Sequence, residues 1–337
     1  MSAFLAIVMD TWRQSIKQVV FMIMLVLMLI IVLAAIILPK RVTTSSGEPS
    51  VGYLWSSEPD DLLAQKWLFV YANSLRENAG VKVSMKELQA AAGASDDSAL
   101  AEYNAMKPFL AEARKAAKAT PLIDRQSQTL VYFVGTFLYS IAMMLFIAAC
   151  AGYFPDTLSA GAVDILVSKP ISRAKLFFGK YLGGLILVSI ALFTAFGAIY
   201  LGIGIRLGSW QGGLFKMLPL TIFSAALLYA ILAFVGIAWR STSLGIVLGY
   251  LFYIIVDTAL GALMGFQETG AFDKWTWLSE SVRALRLGMP NFELLKELAT
   301  VSSFNVPHMN WQPLVTAVAW LFGTLGLGYW VFRRRDF

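Results

Sequence analysis

Cysteine and histidine are almost missing from this chain of 337 residues, with one of each, Cys150 and His308. A single cysteine excludes an intrachain disulfide. A single histidine excludes multi-histidine metal centres and leaves triad chemistry without a ready base. Cys150 closes a hydrophobic run, where a small apolar packing residue is expected. His308 stands between Pro307 and Met309 in a polar stretch, and no metal site is expected there. Charge is scarce as well: 14% of the residues are Asp, Glu, Lys or Arg, against about 25% in a soluble domain. The phosphate-cradling pattern G-x-x-x-x-G-K-[ST] is absent, because Gly179-Lys180-Tyr181 lacks the first glycine and runs into an apolar segment. With no nucleophile, base or metal constellation, the chain is not expected to be an enzyme, and no cofactor is expected on it.

What is present is hydrophobicity: 58% of the residues are apolar, with a mean hydropathy of +0.67. A surface this poor in charge faces lipid, so the expected class is an all-α polytopic membrane protein. Six runs of spanning length stand out, at 19–38, 129–151, 182–205, 217–238, 244–266 and 313–332. The first follows residues 1–18, where Leu5, Val8, Trp12 and Ile16 share one helical face and Asp10, Arg13, Gln14 and Lys17 the other. That pattern predicts an interfacial helix. Pro39-Lys40-Arg41 follows the first run with no small-x-small cleavage pattern, so it reads as an anchor and not as a removed leader.

Residues 39–128 are polar and rich in Ser and Ala. Within 40–126 there are eleven basic and eleven acidic residues, which predicts a water-exposed insertion. Its signals are helical. Asp60 and Asp61 precede Leu62 as a helix start, Ser84 and Glu87 have capping-box spacing, and 99–119 is Ala/Lys/Glu-rich with Pro108 inside. No strand alternation is evident. Residues 267–312 are polar again, with Trp275, Trp277 and Trp311 as interface candidates and two short surface helices expected near 279–283 and 291–298.

An even number of spans puts both termini on one side. With that side cytoplasmic, the inner segments carry ten cations against four acids. The positive-inside bias selects this orientation, with the 39–128 insertion and 267–312 outside and the 333–337 tail inside. The overall charge of +6 therefore reports orientation, and no nucleic-acid partner is expected.

The polar interruption at 152–181 is the basic one. It holds Lys169, Arg173, Lys175 and Lys180 against Asp156 and Asp164. Residues 162–168 can form two helical turns; Pro170 ends them, and Ser172 can cap a second helix running into the third span. A short helix, a rigid corner and a helix continuous with a span make a lever across the cytoplasmic face; the plain alternative is an ordinary basic loop. Asp257 is the acid inside a span, where charge faces a cavity or a partner. It is a candidate pathway residue. Gly245 and Gly249, one turn apart in the fifth span, are candidates for close helix packing or a dimer seam.

Gly161, Asp164, Leu166, Ser168, Pro170, Ser172, Arg173, Gly179 and Lys180 resemble the G-x-x-[DE]-x-L-L-S-x-P-[IV]-S-R … G-K segment of permease subunits of type-2 class ABC exporters, in the branch whose permease is a separate chain. The acids that often precede the glycine in that family are replaced here by Leu158-Ser159-Ala160. The layout is similar too: an interfacial helix, six spans, a large outer insertion and surface helices before the last span. The resemblance implies a coupling helix docked on an ATP-binding subunit, with Asp164, Leu166, Ser168, Lys169, Pro170, Ser172 and Arg173 at the contact. It further implies ATP and Mg on that partner, a second permease subunit (identical or not), and a multi-pass location in a prokaryotic inner membrane. The alternatives are a secondary transporter or a membrane-anchored scaffold, neither with an ATPase partner.

Overall fold

The computed structural model describes residues 9, 11–13, 19–56, 58–78, 98–158, 172–268, 276–304 and 311–334. Among these the chain is helical apart from one hairpin. Helix α1 (Val19–Ile37) leads directly into strands β1 (Pro39–Thr43) and β2 (Pro49–Tyr53), paired antiparallel with Arg41 opposite Val51. Helices α2 (Asp61–Asn78) and α3 (Ser98–Ala119) follow, then α4 (Leu122–Cys150) and the short α5 (Tyr153–Thr157). Next come α6 (Arg173–Leu207), α7 (Leu214–Trp239) and α8 (Thr242–Tyr250), which passes through a π-helical segment (Leu251–Val256) into α9 (Asp257–Glu268). Helices α10 (Thr276–Gly288), α11 (Phe292–Val301) and α12 (Gln312–Arg334) complete the order, with a 3-10 turn at Ser302–Phe304.

By length and composition five helical stretches can cross a membrane: Leu122–Thr157, Arg173–Leu207, Leu214–Trp239, Thr242–Leu263 and Gln312–Arg334. The chain is thus an all-α polytopic membrane protein. Helix α1 is a shorter apolar helix of 19 residues, about 28 Å at 1.5 Å per residue. Helix α7 is the core of the bundle: 78% of its apolar window is buried, against 12% for the α8 stretch and 17% for α12. Its partners are α4, α6, α11 and α12. The α8 stretch and α12 show Val247, Ile255, Val315 and Phe322 on their open faces, as lipid-facing surface should.

The helix starts follow from local chemistry. The Asp60 carboxylate accepts from the amides of Leu62 (3.0 Å) and Leu63 (3.3 Å), so the acids before Leu62 do open α2. Asn291 caps α11 through the Leu294 amide at 2.9 Å. Between α7 and α8 the turn is minimal: Arg240 sits in the left-handed region with φ 53°, and Ser241 accepts from the Leu244 amide at 3.2 Å. The tight hairpin expected around Trp239–Ser241 is therefore present, between α7 and α8.

Two expectations need correction. The insertion is not purely helical, because 39–53 forms the β1–β2 hairpin. Its strands are short, and Pro39 and Pro49 sit at strand starts, so period-two alternation never develops. Helix α11 is not a surface helix: Phe292, Leu295 and Ala299 are buried where it packs on α7. Helix α10 does keep an open apolar face, with Trp277 and Leu285 exposed. The capping box at Ser84, the metal-free reading of His308 and most of the 1–18 helix lie outside the described residues. Thr11, within that helix, is buried, and a Cβ at Gly183 of α6 would lie 3.0 Å from its hydroxyl.

The hairpin is locked to α4 by one side chain. Gln126 is fully buried. Its Oε1 accepts from the Ser50 hydroxyl (3.0 Å) and the Val51 amide (2.8 Å), and its Nε2 donates to the Asp60 carbonyl (2.9 Å). Two residues on, Gln128 accepts from the Trp67 indole at 2.7 Å, and Trp67 also packs on Tyr71 and Phe304. The insertion is thereby fastened to α4. At this end Ser209 donates to Asp124 at 2.6 Å and the Arg206 guanidinium donates to the Pro39 carbonyl, tying in the α6–α7 turn. Alternation of the helices puts residues 152–158 and 172–181 at the opposite end, called the loop end below.

Candidate functional site

The centre of the basic segment, with Asp164, Leu166, Ser168, Lys169 and Pro170, lies outside the described residues. Its two anchors are well defined. On the entry side α4 breaks at Cys150 and α5 turns Tyr153 and Phe154 into the bundle, both buried. On the exit side Ser172 is extended and its hydroxyl accepts from the Lys175 amide at 3.4 Å. This is the N-cap that the sequence predicts. From Arg173 the helix then runs unbroken for 35 residues, roughly 52 Å against a hydrocarbon core of about 30 Å. A helix that long carries any displacement of its first turn into the membrane.

Entry and exit meet at one aromatic hub. Tyr229 of α7 stacks on Tyr181 of α6 (centroids 5.1 Å apart, 14° between planes) and meets Tyr153 edge-on at 6.2 Å. Phe146 and Phe154 pack on the same ring at 5.7 and 6.0 Å. Phe154 in turn packs on Phe177, which touches Tyr329 and Phe332 of α12. The hydroxyls are used too: Tyr181 donates to the Ala226 carbonyl at 2.7 Å and Tyr229 to the Lys180 carbonyl at 3.4 Å. Gly184 makes room for this, since a Cβ there would lie 2.7 Å from the Tyr229 ring and hydroxyl. Lys180, counted among the cations of the loop, is only 5% exposed and belongs to this packed region.

Arg173 stands at the edge of the hub. Its guanidinium donates to the carbonyl of Arg333 at 2.6 Å, filling one of the open acceptors in the last turn of α12. The start of α6 and the end of α12 are thus joined directly, and Arg173 has a role within the chain.

Gly245 and Gly249 are both buried, against the chain's own helices. A Cβ at Gly249 would lie 2.7 Å from Ile147 Cγ2 and 2.8 Å from Leu232 Cδ2; at Gly245 it would meet Ala151 Cβ at 3.4 Å. These glycines serve close packing of α8 on α4 and α7. Asp257 opens α9 immediately after the π segment at Leu251–Val256. That wide turn gave no sequence signal, and such insertions concentrate at functional positions. Tyr229 and Gln126 were also not singled out by the sequence. The spacing of Tyr153, Phe154, Phe177 and Tyr181 around the loop was the available hint to the hub. Gln126 and Gln128, in the polar start of an otherwise apolar helix, were the hint to the lock.

Comparison with known proteins agrees with this geometry. The sequence profile of a family described as "ABC-2 family transporter protein" matches residues 5–337. A protein of Stutzerimonas stutzeri described as "Probable ABC transporter permease protein NosY" is 28% identical over 194 residues, covering 52% of this chain and 69% of that protein. With the family matched from the N-terminal segment through all the apolar helices to the last residue, the chain belongs to the ABC-2 family, as a transmembrane permease subunit of an ABC transporter.

Proposed function

We propose that the chain couples ATP hydrolysis by a separate ATP-binding subunit to export of a substrate across a prokaryotic inner membrane. The segment from Asp164 to Arg173 docks on that subunit, with Leu166, Ser168, Lys169, Pro170 and Ser172 in the contact. ATP and Mg bind to the partner. Two permease subunits, identical or not, assemble with two ATP-binding subunits. Helix α1 serves as the first of six spans, both termini are cytoplasmic, and the insertion lies outside. Asp257, beside the π turn, lines the substrate path.

The observation that carries this reading is the clamping of both ends of the 152–181 segment on one hub, with the exit continuing as a single 35-residue helix. Motion imposed on the loop reaches α4, α6, α7 and α12 together. The test is purification of the chain from its host. An ATP-binding protein should copurify and be lost on replacing Lys169 and Pro170 by Ala. Retention of the ATPase by that variant sinks the docking assignment, and absence of any ATPase sinks the coupling function. Unchanged transport in Asp257→Asn removes the pathway role.

A further inference from the structure

We infer that the joint between α6 and α12 at the loop end is a binding site for an anionic phospholipid. Four cations converge there. Arg173 and Lys175 lie in the first turn of α6, and Arg333 and Arg334 end α12; all four are exposed. The bond from Arg173 to the Arg333 carbonyl holds the two groups together. Among the described residues at this end the carboxylate is Asp156, in α5. Four positive charges gathered this way favour an anion beside them.

The direction of one of them identifies the source. The Arg334 guanidinium lies over the Trp330 ring, 4.0 Å from its centroid. Trp330 is 50% exposed and continues the open stripe of Phe322 and Leu327 on a helix whose apolar window is only 17% buried. The cation is thus folded back along lipid-facing surface, at the depth where Trp and Arg sit among headgroups. A cation serving only a soluble partner has no reason to lie against a Trp of the membrane face. On α6 the cations are followed in the same way by exposed Phe178, Leu182 and Ile186. The two stripes adjoin through Phe178 and Tyr329, whose rings are 5.6 Å apart. Apolar walls on both helices suit an acyl chain, and the guanidinium and ammonium groups above them suit its phosphodiester.

This site requires only that the chain spans a membrane, so its test is independent of the ATP-binding partner. Full-length protein, stripped of lipid in detergent, is titrated with palmitoyl-oleoyl phosphatidylglycerol or phosphatidylcholine, and bound lipid is counted by native mass spectrometry. The wild type should retain phosphatidylglycerol preferentially. Lys175→Gln and Arg334→Gln should each lower that preference about fivefold, the effect of one basic residue near an anionic surface. Lys118→Gln, in the insertion, should leave it unchanged. Unaltered unfolding midpoints in lipid-free detergent establish that the variants fold. Equal phosphatidylglycerol retention by wild type and the two variants overturns the site. So does loss of a copurifying ATP-binding protein in those variants with lipid retention intact, which would assign the patch to a protein partner.

Discussion

At the scale of single residues, Gln126 is the side chain on which most depends. Replacing it by Leu leaves the buried Val51 amide and Ser50 hydroxyl without their acceptor. Each buried polar group so orphaned costs about 1–3 kcal/mol, so a loss of roughly 2–4 kcal/mol is expected, read as a lowered unfolding midpoint and faster proteolysis of the hairpin. The two glycines of α8 should behave oppositely. Gly249→Ala forces a methyl against the β-branched Ile147 at 2.7 Å and should destabilise by about 1–3 kcal/mol. Gly245→Ala makes an ordinary contact at 3.4 Å and should be neutral or stabilising by up to about 1 kcal/mol through helix propensity. Thermal unfolding of both variants checks the pair. Tyr53 provides a pH readout. Desolvation, with help from the hydrogen-bonded Asp60 carboxylate, pushes its hydroxyl from 10.0 up to about 12. The neutral form is the one the fold prefers, so this contribution is complete below pH 10 and is lost as pH rises through about 12. Tyr53→Phe should remove that alkaline sensitivity in a stability-against-pH series. None of these three environments was legible in the sequence. Each depends on which distant segment a residue meets, and only the type of residue, a glycine pair or a polar residue at a span edge, could be seen in advance.

Among the elements, those governed by local chemistry were legible and those governed by neighbours were not. The apolar runs lie within helices, because 20-residue hydrophobic segments have few alternatives in lipid. Ser172, Asp60 and the Trp239–Ser241 turn did what their side chains and spacing predict. The β1–β2 hairpin was missed because five-residue strands interrupted by prolines carry no period. Helix α11 was placed on the surface because its short amphipathic pattern does not say whether the apolar side meets lipid or α7. For the functional segment, the cap is the accessible test. Ser172→Ala should weaken the first turn of α6 by about 1 kcal/mol. Hydrogen exchange should then quicken at the amides of residues 173–176 and stay unchanged from Leu182 onward. Quickening along the whole of α6 would mean that the cap holds the helix and not merely its first turn.

For the whole molecule, the fastening of the insertion to α4 and of α4 to the hub makes one body of parts nearly 100 residues apart in sequence. Spin labels at Ser46 in the hairpin and Lys118 in α3 should keep a constant separation when ATP is added to the assembled transporter; a changing separation would dissolve that body. The consequence is one of leverage. Helix α4 has 29 residues and is therefore about 44 Å long. Pivoted near the hub, a rod of that length tilted by about 5° sweeps its far tip through about 4 Å. With Gln126 as the rivet, the hairpin, α2 and α3 travel the same arc. On the coupling proposed above, a stroke begun at the basic segment would arrive at the other end of the bundle as a displacement of the insertion large enough to open or close a contact there, without the insertion changing its own shape.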